Sequence, residues 1–410
     1  MKKTASFIIA AVFAAAALPA LARADVYAES YTQGGLTLTY TVSGSEASIT
    51  GISGSGTVMY IPETISGYTV TSIAAEAFSD CAALVNVTIP DSVRSIGEKA
   101  FWNCSSLNTV YIGSDSSYIG DYAFSACPSL SAFNVSASNG TYTSVGGMLF
   151  SKDAKNLKVY AGSNNAVIPN GTAVIGKAAF FGNTKLSTVS IPQSVTTIEE
   201  YAFSGCFSLK SVALPASVTK LGTGCFINCS SLEKAVLGSG LSSIPDECFS
   251  MCVSLVSVNI PESVKSIGEG AFYSCNNLSG IHIPKSVTSV AANAVGTHYS
   301  IINKKNVPVF GFYISGDTGS AVQKYAKDNG IDFIDFANIA YGDVNGDGAV
   351  DSSDASAVLS EYVRTATGLP SAFSYYSRLT GDYNADGMVD SLDASQILAH
   401  YANVATGGQN

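Results

Sequence analysis

A phenylalanine recurs with a period of 23 along most of this chain, and a repeat this regular leaves few folds open. Ala77-Phe78, Ala100-Phe101 and Ala123-Phe124 open the series. After an interruption it resumes with Phe180, Phe203, Phe226, Phe249 and Phe272, and it ends at Val295. Five residues before each Phe stands Ile or Leu (Ile73, Ile96, Ile119, Ile175, Ile198, Leu221, Ile244, Ile267), and six after it stands Leu (Leu84, Leu107, Leu130, Leu186, Leu209, Leu232, Leu255, Leu278). Downstream of that Leu comes an alternation such as Leu84-Val85-Asn86-Val87-Thr88-Ile89-Pro90, which reads as a short half-buried strand ended by proline. One such coil cannot bury its apolar face alone. Stacked coils can, so the repeat predicts a solenoid whose Phe, Ile and Leu columns form a continuous core, with the strands as a parallel β-sheet on one face. At about 4.8 Å per strand step, some ten coils make an arm on the order of 50 Å long.

The cysteines keep the same phase. Cys81, Cys104, Cys127, Cys206, Cys229, Cys252 and Cys275 each lie three residues after the Phe, with Asn183 once in that place, while Cys225 and Cys248 take the Ala slot before it. Thiols in a stacked column point in parallel rather than at one another. They read as buried core fillers, not as disulfide partners or metal ligands.

Runs such as Ile89-Pro90-Asp91-Ser92-Val93-Arg94-Ser95-Ile96-Gly97-Glu98-Lys99-Ala100-Phe101 resemble the BspA-like leucine-rich repeats of bacterial surface antigens. The resemblance spans roughly 36 to 336. Ser144 to Asp153 is similar to a hairpin insertion common in that family, inside an interruption near 136–170, and Ser320 to Ile331 reads as a capping helix closed by Gly330, within a C-terminal cap near 310–336. With an N-terminal cap, the repeat region is expected over 25–336. The resemblance implies binding or adhesion rather than one particular ligand. The outward strand residues are the candidate surface: Asn86, Thr88, Thr109, Tyr111, Thr188, Ser190, Ser257, Asn259 and His282.

The segment 341–410 is different in kind. It holds nine Asp or Glu against two Arg. Calcium takes six to eight oxygens, which a 12-residue loop supplies from positions 1, 3, 5, 9 and 12 and a backbone carbonyl at 7. Asp343, Asn345, Asp347, Asp351 and Asp354 stand at those positions, with Ala349 at the carbonyl and Gly348 at the turn. Further on, Asp382, Asn384, Asp386, Asp390 and Asp393 repeat the pattern at a constant offset, with Met388 at position 7 and Gly387 at the turn. Each loop runs into a helix-like stretch, Ala355 to Val363 and Ala394 to Ala402, and no comparable helix precedes either loop. Two calcium ions are expected.

Position 12 is Asp rather than the EF-hand Glu, and this duplicated half EF-hand resembles a type I dockerin, a small all-α calcium module. The resemblance implies attachment to a cohesin module of a scaffoldin, as in a cellulosome. It places recognition at loop positions 10 and 11 (Ser352, Ser353, Ser391, Leu392) and at positions 17 and 18, often basic in the family but here Leu359, Ser360, Leu398 and Ala399.

Residues 1–24 carry Lys2 and Lys3, an apolar run from Phe7 to Leu18, Pro19 and Ala22-Arg23-Ala24, which reads as a secretory signal. Its removal takes the formal net charge from -10 to -13, since Lys2, Lys3 and Arg23 leave with it. Nucleic acid is an unsuitable partner for such a chain. No later stretch reaches the roughly 18 apolar residues of a membrane helix, so an extracellular protein without a membrane span is expected, monomeric apart from a cohesin complex.

Catalytic motifs are sparse. Asp317-Thr318-Gly319-Ser320 matches an aspartic-protease signature, but that chemistry needs a second carboxylate about 3 Å away and the chain has no second such motif, so a turn before the capping helix is the better reading. His282, His298 and His400 fall in no metal or triad pattern. These observations favour a non-catalytic secreted binding protein whose arm takes a protein or polysaccharide ligand. The alternatives are a hydrolase or protease inhibitor delivered to the same complex, or a structural spacer.

Overall fold

The computed structural model describes residues 29–162, 164–335, 340–369, 371–373, 375–383 and 388–406. The repeats wind into a β-solenoid of about 13 turns, more than the sequence led us to expect. The excess lies in the caps, where Tyr313–Gly316 and Asp332–Asp335 extend the sheet begun by Gly280–His282.

Two parallel ladders run along the arm rather than a sheet on one face alone. The first joins Val58–Tyr60, Asn86–Ile89, Thr109–Ile112 and Ala132–Val135, then, beyond the interruption, Asn165–Val167 with Thr188–Ser190, and Ser211–Ala213, Lys234–Val236 and Ser257–Val258. The second is built of two-residue strands, among them Ser95–Ile96, Tyr118–Ile119, Thr197–Ile198, Ser243–Ile244 and Ser266–Ile267. The Ile five before each Phe explains the second ladder. To point inward it must be extended, and extended backbone then bonds the neighbouring coils, as in Gly97 N–H to Ile73 O and Gly120 N–H to Ile96 O, both 2.8 Å.

The Phe segment forms a third row of bonds that alternation in the sequence does not announce. Residues two before and two after the Phe are left-handed in coil after coil: Glu76 and Asp80 (φ 60 and 60), Lys99 and Asn103 (φ 53 and 55), Glu247 and Met251 (φ 54 and 60). Left-handed backbone costs a non-glycine residue about 1–2 kcal/mol. Here it turns alternate N–H groups toward the next coil, so that Lys99, Phe101 and Asn103 donate to Asp121, Ala123 and Ser125 at 3.0, 2.7 and 3.1 Å. The bonds offset the strain.

Stacking at the rise of a β-ladder brings the Phe rings into contact. Phe203, Phe226, Phe249 and Phe272 stand 5.0, 5.2 and 5.3 Å apart, nearly parallel. The thiols behind them are occupied as well. Cys104, Cys127, Cys206, Cys229, Cys252 and Cys275 each donate Sγ–H to the carbonyl of the Phe one coil back, at 3.0 to 3.3 Å. Cys225 and Cys248 lie in the core with their Sγ atoms 3.4 Å apart.

The interruption splits the core in two. Tyr142–Val145 and Met148–Ser151 form the expected hairpin about Gly146-Gly147, both at positive φ (58 and 83), and Asn156–Val159 returns the chain to the second ladder. Phe124 there meets Phe133 edge-on, and Tyr160 takes over the aromatic column by stacking on Phe180 at 4.5 Å.

Caps close both ends. An antiparallel meander (Glu29–Gln33, Leu36–Ser43, Glu46–Gly54) covers the first coil. Helix α1 (Ala321–Asn329) covers the last, N-capped by Ser320 and ended by left-handed Gly330, and Asp317-Thr318-Gly319 forms its leading turn, as expected.

The last segment folds on a separate core of Val344, Ala355, Val358, Ala394 and Ile397. Its helices are α2 (Ser352–Ala366), α3 (Tyr375–Gly381) and α4 (Ser391–Ala405). The long pair are helical where expected but begin three residues earlier, because each starts at a capping Asp. The short α3 precedes the second loop, where no helix was expected.

Candidate functional site

The C-terminal segment is duplicated in space as well as in sequence. Asp351 caps α2 by accepting Ser353 N–H at 2.7 Å, and Asp390 caps α4 by accepting Leu392 N–H at 2.7 Å. Asp354 and Asp393 answer from the third helical position, accepting Asp351 N–H and Asp390 N–H at 3.0 and 2.9 Å. Each pair is a reciprocal capping box. Positions 9 and 12 of both loops are therefore fixed by their helices.

The first loop folds around its own carboxylates. Asp343, 3% exposed, accepts from Gly346, Asp347 and Gly348 N–H at 2.8, 3.1 and 3.0 Å. Asp354, fully buried, also accepts from Val344 and Asn345 N–H at 2.8 and 3.2 Å. Asn345 Nδ2 donates to Asp347 Oδ2 and to Ser353 Oγ at 2.9 and 3.0 Å, and Ala349 N–H donates to Asp347 Oδ1 at 2.9 Å. Gly348 turns the chain at φ 88. Asp351 is held below the usual carboxylate range, chiefly by the Ser353 hydroxyl and then by its backbone N–H.

Among the described residues no three His, Cys, Asp or Glu side chains are gathered as a metal cage. The donor chemistry still fits a hard cation, being all oxygen with two buried carboxylates in the first loop. In the second loop Asp382, Met388, Asp390 and Asp393 are described, with Asp393 fully buried. Asn384 and Asp386 lie outside the described residues, as does Gly387.

All eight residues expected to meet a cohesin are exposed. Ser352, Ser353, Leu359 and Ser360 lie on α2, and Ser391, Leu392, Leu398 and Ala399 on α4. Tyr362 and Tyr401, equally exposed and separated by the same offset as the two loops, join them; that offset alone would have found the pair.

On the arm, the first ladder puts Tyr60, Thr88, Tyr111 and Asn134 in one outward column and Val58, Asn86, Thr109 and Ala132 in the next. Thr188, Ser190 and Ser257 are exposed on its continuation. Asn259 is not a free ligand group, because its amide accepts from Leu237 N–H at 2.7 Å and donates to Leu237 O at 3.1 Å, in place of ladder bonds. His282 is tied to Ser315 of the cap at 3.2 Å, and burial pushes its pKa down. Tyr60, with the most exposed ring of this face, escaped the sequence reading because its coil precedes the first repeating Phe.

The model of the BspA type leucine rich repeat region matches residues 60–172 and 172–302, in six copies. The chain belongs to that family. Solved structures with similar chains include a leucine rich cell surface protein from Faecalibacterium prausnitzii (24% identity, 74% of this chain and 98% of that one, TM-score 0.32). A leucine-rich repeat protein from Eubacterium ventriosum matches at 21% identity over 63% of this chain and 92% of its own, with a TM-score of 0.43. The pneumococcal vaccine antigen PcpA matches at 19% over 75% and 98%, with a TM-score of 0.30. At these identities and TM-scores the likenesses carry no argument about function. No curated protein matches the chain. Among the described residues no helix is long and apolar enough to cross a membrane.

Proposed function

We propose that this family member is a non-catalytic secreted binding protein whose segment 341–410 is a type I dockerin. In this reading the dockerin attaches it to a cohesin module of a scaffoldin, in a cellulosome-type complex, while the arm holds a protein or polysaccharide ligand on its outward columns. One observation carries it: among the described residues, every fully or nearly buried charged side chain (Asp343, Asp354, Glu361 and Asp393) lies in this segment, three of them at loop positions 1 and 12. Buried carboxylates are costly unless offset by a cation or by hydrogen bonds to the charged form.

The first loop would hold one calcium with Asp343, Asn345, Asp347, Asp351, Asp354 and the Ala349 carbonyl. The second would hold another with Asp382, Asn384, Asp386, Asp390, Asp393 and the Met388 carbonyl. The ion supplies positive charge that offsets carboxylate repulsion. The residues of this chain do the rest: the capping boxes orient α2 and α4, and their exposed Leu, Ser and Tyr positions form two related faces. Leu392 in place of Ser353 makes those faces unequal.

Binding of the chain to immobilised cohesin modules, with and without chelator, tests the reading. Asp343→Ala and Asp382→Ala should each weaken binding unequally, and together abolish it. Wild-type affinity in the double variant overturns it.

A further inference from the structure

One coil of the arm is longer than the repeat requires. Gly280–His282 pairs with Tyr313–Gly316 at an offset of 33, where the regular repeats take 23. The extra chain is spent on an antiparallel hairpin, Thr297–Ser300 with Lys305–Pro308, whose turn is Ile301-Ile302-Asn303-Lys304. It is held firmly at its base, where Val309 N–H donates to Gly296 O at 2.8 Å and Tyr273 Oη donates to Asn306 Oδ1 at 2.9 Å.

The tip contradicts the logic of the rest of the arm. In the turn Ile301 and Ile302 are 83% and 93% exposed, and Tyr299 on the strand leading to it is 54% exposed, so large apolar side chains project where the solenoid needs none. Lys304 and Lys305 stand beside them. Neither forms an ion pair among the described residues, and the sequence holds no Asp or Glu from 270 through 316. The acids of the cleft that reaches Asn306, namely Asp246, Glu247 and Glu269, belong to the stacked coils. A basic, apolar tip thus sits on a chain of net charge -10.

We propose that this hairpin is a peripheral lipid-contact site that inserts Ile301 and Ile302 into the headgroup region of an anionic membrane while Lys304 and Lys305 pair with lipid phosphates. Apolar side chains with adjacent cations are what an anionic interface rewards: the hydrocarbon leaves water and the ammonium groups meet the surface potential. A purely anionic polymer would reward the lysines and leave the isoleucines in water. A protein groove would reward the isoleucines without needing an acid-free surround.

The test is flotation of the secreted chain with vesicles of phosphatidylcholine containing phosphatidylglycerol, against phosphatidylcholine alone. Binding is expected only with the anionic lipid and should fall in about 0.5 M salt, where the Debye length is short. Ile301→Ser with Ile302→Ser should weaken partition about tenfold or more. Lys304→Ser with Lys305→Ser should cost about fivefold per lysine. The melting temperature should not move, because these side chains are exposed. Ile302→Trp should shift its fluorescence to the blue on anionic vesicles. No binding to the anionic vesicles, or binding unchanged in both double variants, overturns the proposal. So does loss of a concentration-dependent dimer in the serine variants without any lipid effect, which would make the hairpin a self-association surface.

Discussion

The arm and the C-terminal segment dispose of buried polar groups in opposite ways. Among the described residues of the arm the buried polar side chains are uncharged, Ser116, Asn139 and Thr172 among them. Ser116 donates to Val93 O at 2.8 Å and Asn139 to Gly113 O at 2.7 Å, each reaching back to the preceding coil. Neighbouring coils supply such partners, though not to the buried hydroxyls of Ser217, Ser263 and Ser286, and stacked repeats stabilise one another without a ligand. Among the described residues, the C-terminal segment has a core of five buried apolar residues and buries carboxylates beside it. A core that small contributes little, and staples such as a bound metal are how small modules compensate. Stability should therefore be intrinsic in one region and conditional in the other.

The largest effect should come from removing divalent cations. In excess chelator the C-terminal segment should lose helical circular dichroism and amide protection, while the arm keeps its strand signal. Helix retained in full under chelation would erase the contrast. Next in size is a break in the aromatic column. Phe226 is fully buried between Phe203 and Phe249, and Phe226→Ala should cost about 3–5 kcal/mol of arm stability in urea unfolding while leaving cohesin binding untouched. Loss of docking in that variant would show that the regions are not independent.

How legible each region was follows from the same difference. The Phe, Leu and Cys columns were readable because one buried position repeats many times, so chance cannot imitate it. The second ladder and the left-handed row were not read, since hydrophobic period reports which side chains are inside and says little about the backbone that puts them there. A trace was present: Gly182, Gly205, Gly224, Gly270, Asn103, Asn228 and Asn293 all fall two residues from the Phe position, and Gly and Asn tolerate positive φ best. In the candidate site, the loop pattern located the buried acids and both long helices. It did not reveal that Asp351 and Asp390 also cap those helices, a second duty that the ligand pattern hides. Nor did the strand alternation reveal that the exposed Asn259 amide is already bonded to the Leu237 backbone: outward on a strand does not mean free when the side chain replaces a ladder partner.

Alkali should separate the regions in the opposite sense from chelation. Burial pushes the Cys275 thiol up to about 12 from an ordinary 9.0, and it raises Cys206, Cys248 and Cys252 as well. A group with a raised folded pKa contributes stability that is intact below the unfolded value and is lost as pH climbs through the folded one. Arm stability should thus fall from about pH 9 toward pH 12, by about 1.4 kcal/mol per pH unit for each thiol that ionises only on unfolding. Urea midpoints measured across that range check it, and a flat profile would mean that the thiols are reachable by hydroxide in the folded arm.

The smallest effect tests what the cysteine column is for. Cys229 fills space between coils and donates to Phe203 O at 3.1 Å, so packing and hydrogen bonding both recommend it. The two roles respond differently to substitution. Cys229→Ala removes the donor and some volume, and should cost about 1–2 kcal/mol. Cys229→Ser keeps a donor of similar size but is harder to bury. If the thiol serves chiefly as a small hydrophobe, Ser should be the worse replacement, because desolvating its hydroxyl outweighs the bond that it makes. If the link to the preceding coil matters more, Ser should lie between Cys and Ala. Six thiols repeat the same contact on Phe carbonyls, which favours the second ordering, and urea midpoints for the two variants decide it. Ser below Ala would reduce the column to packing alone and leave the backbone rows as the arm's only polar connection between coils at these positions.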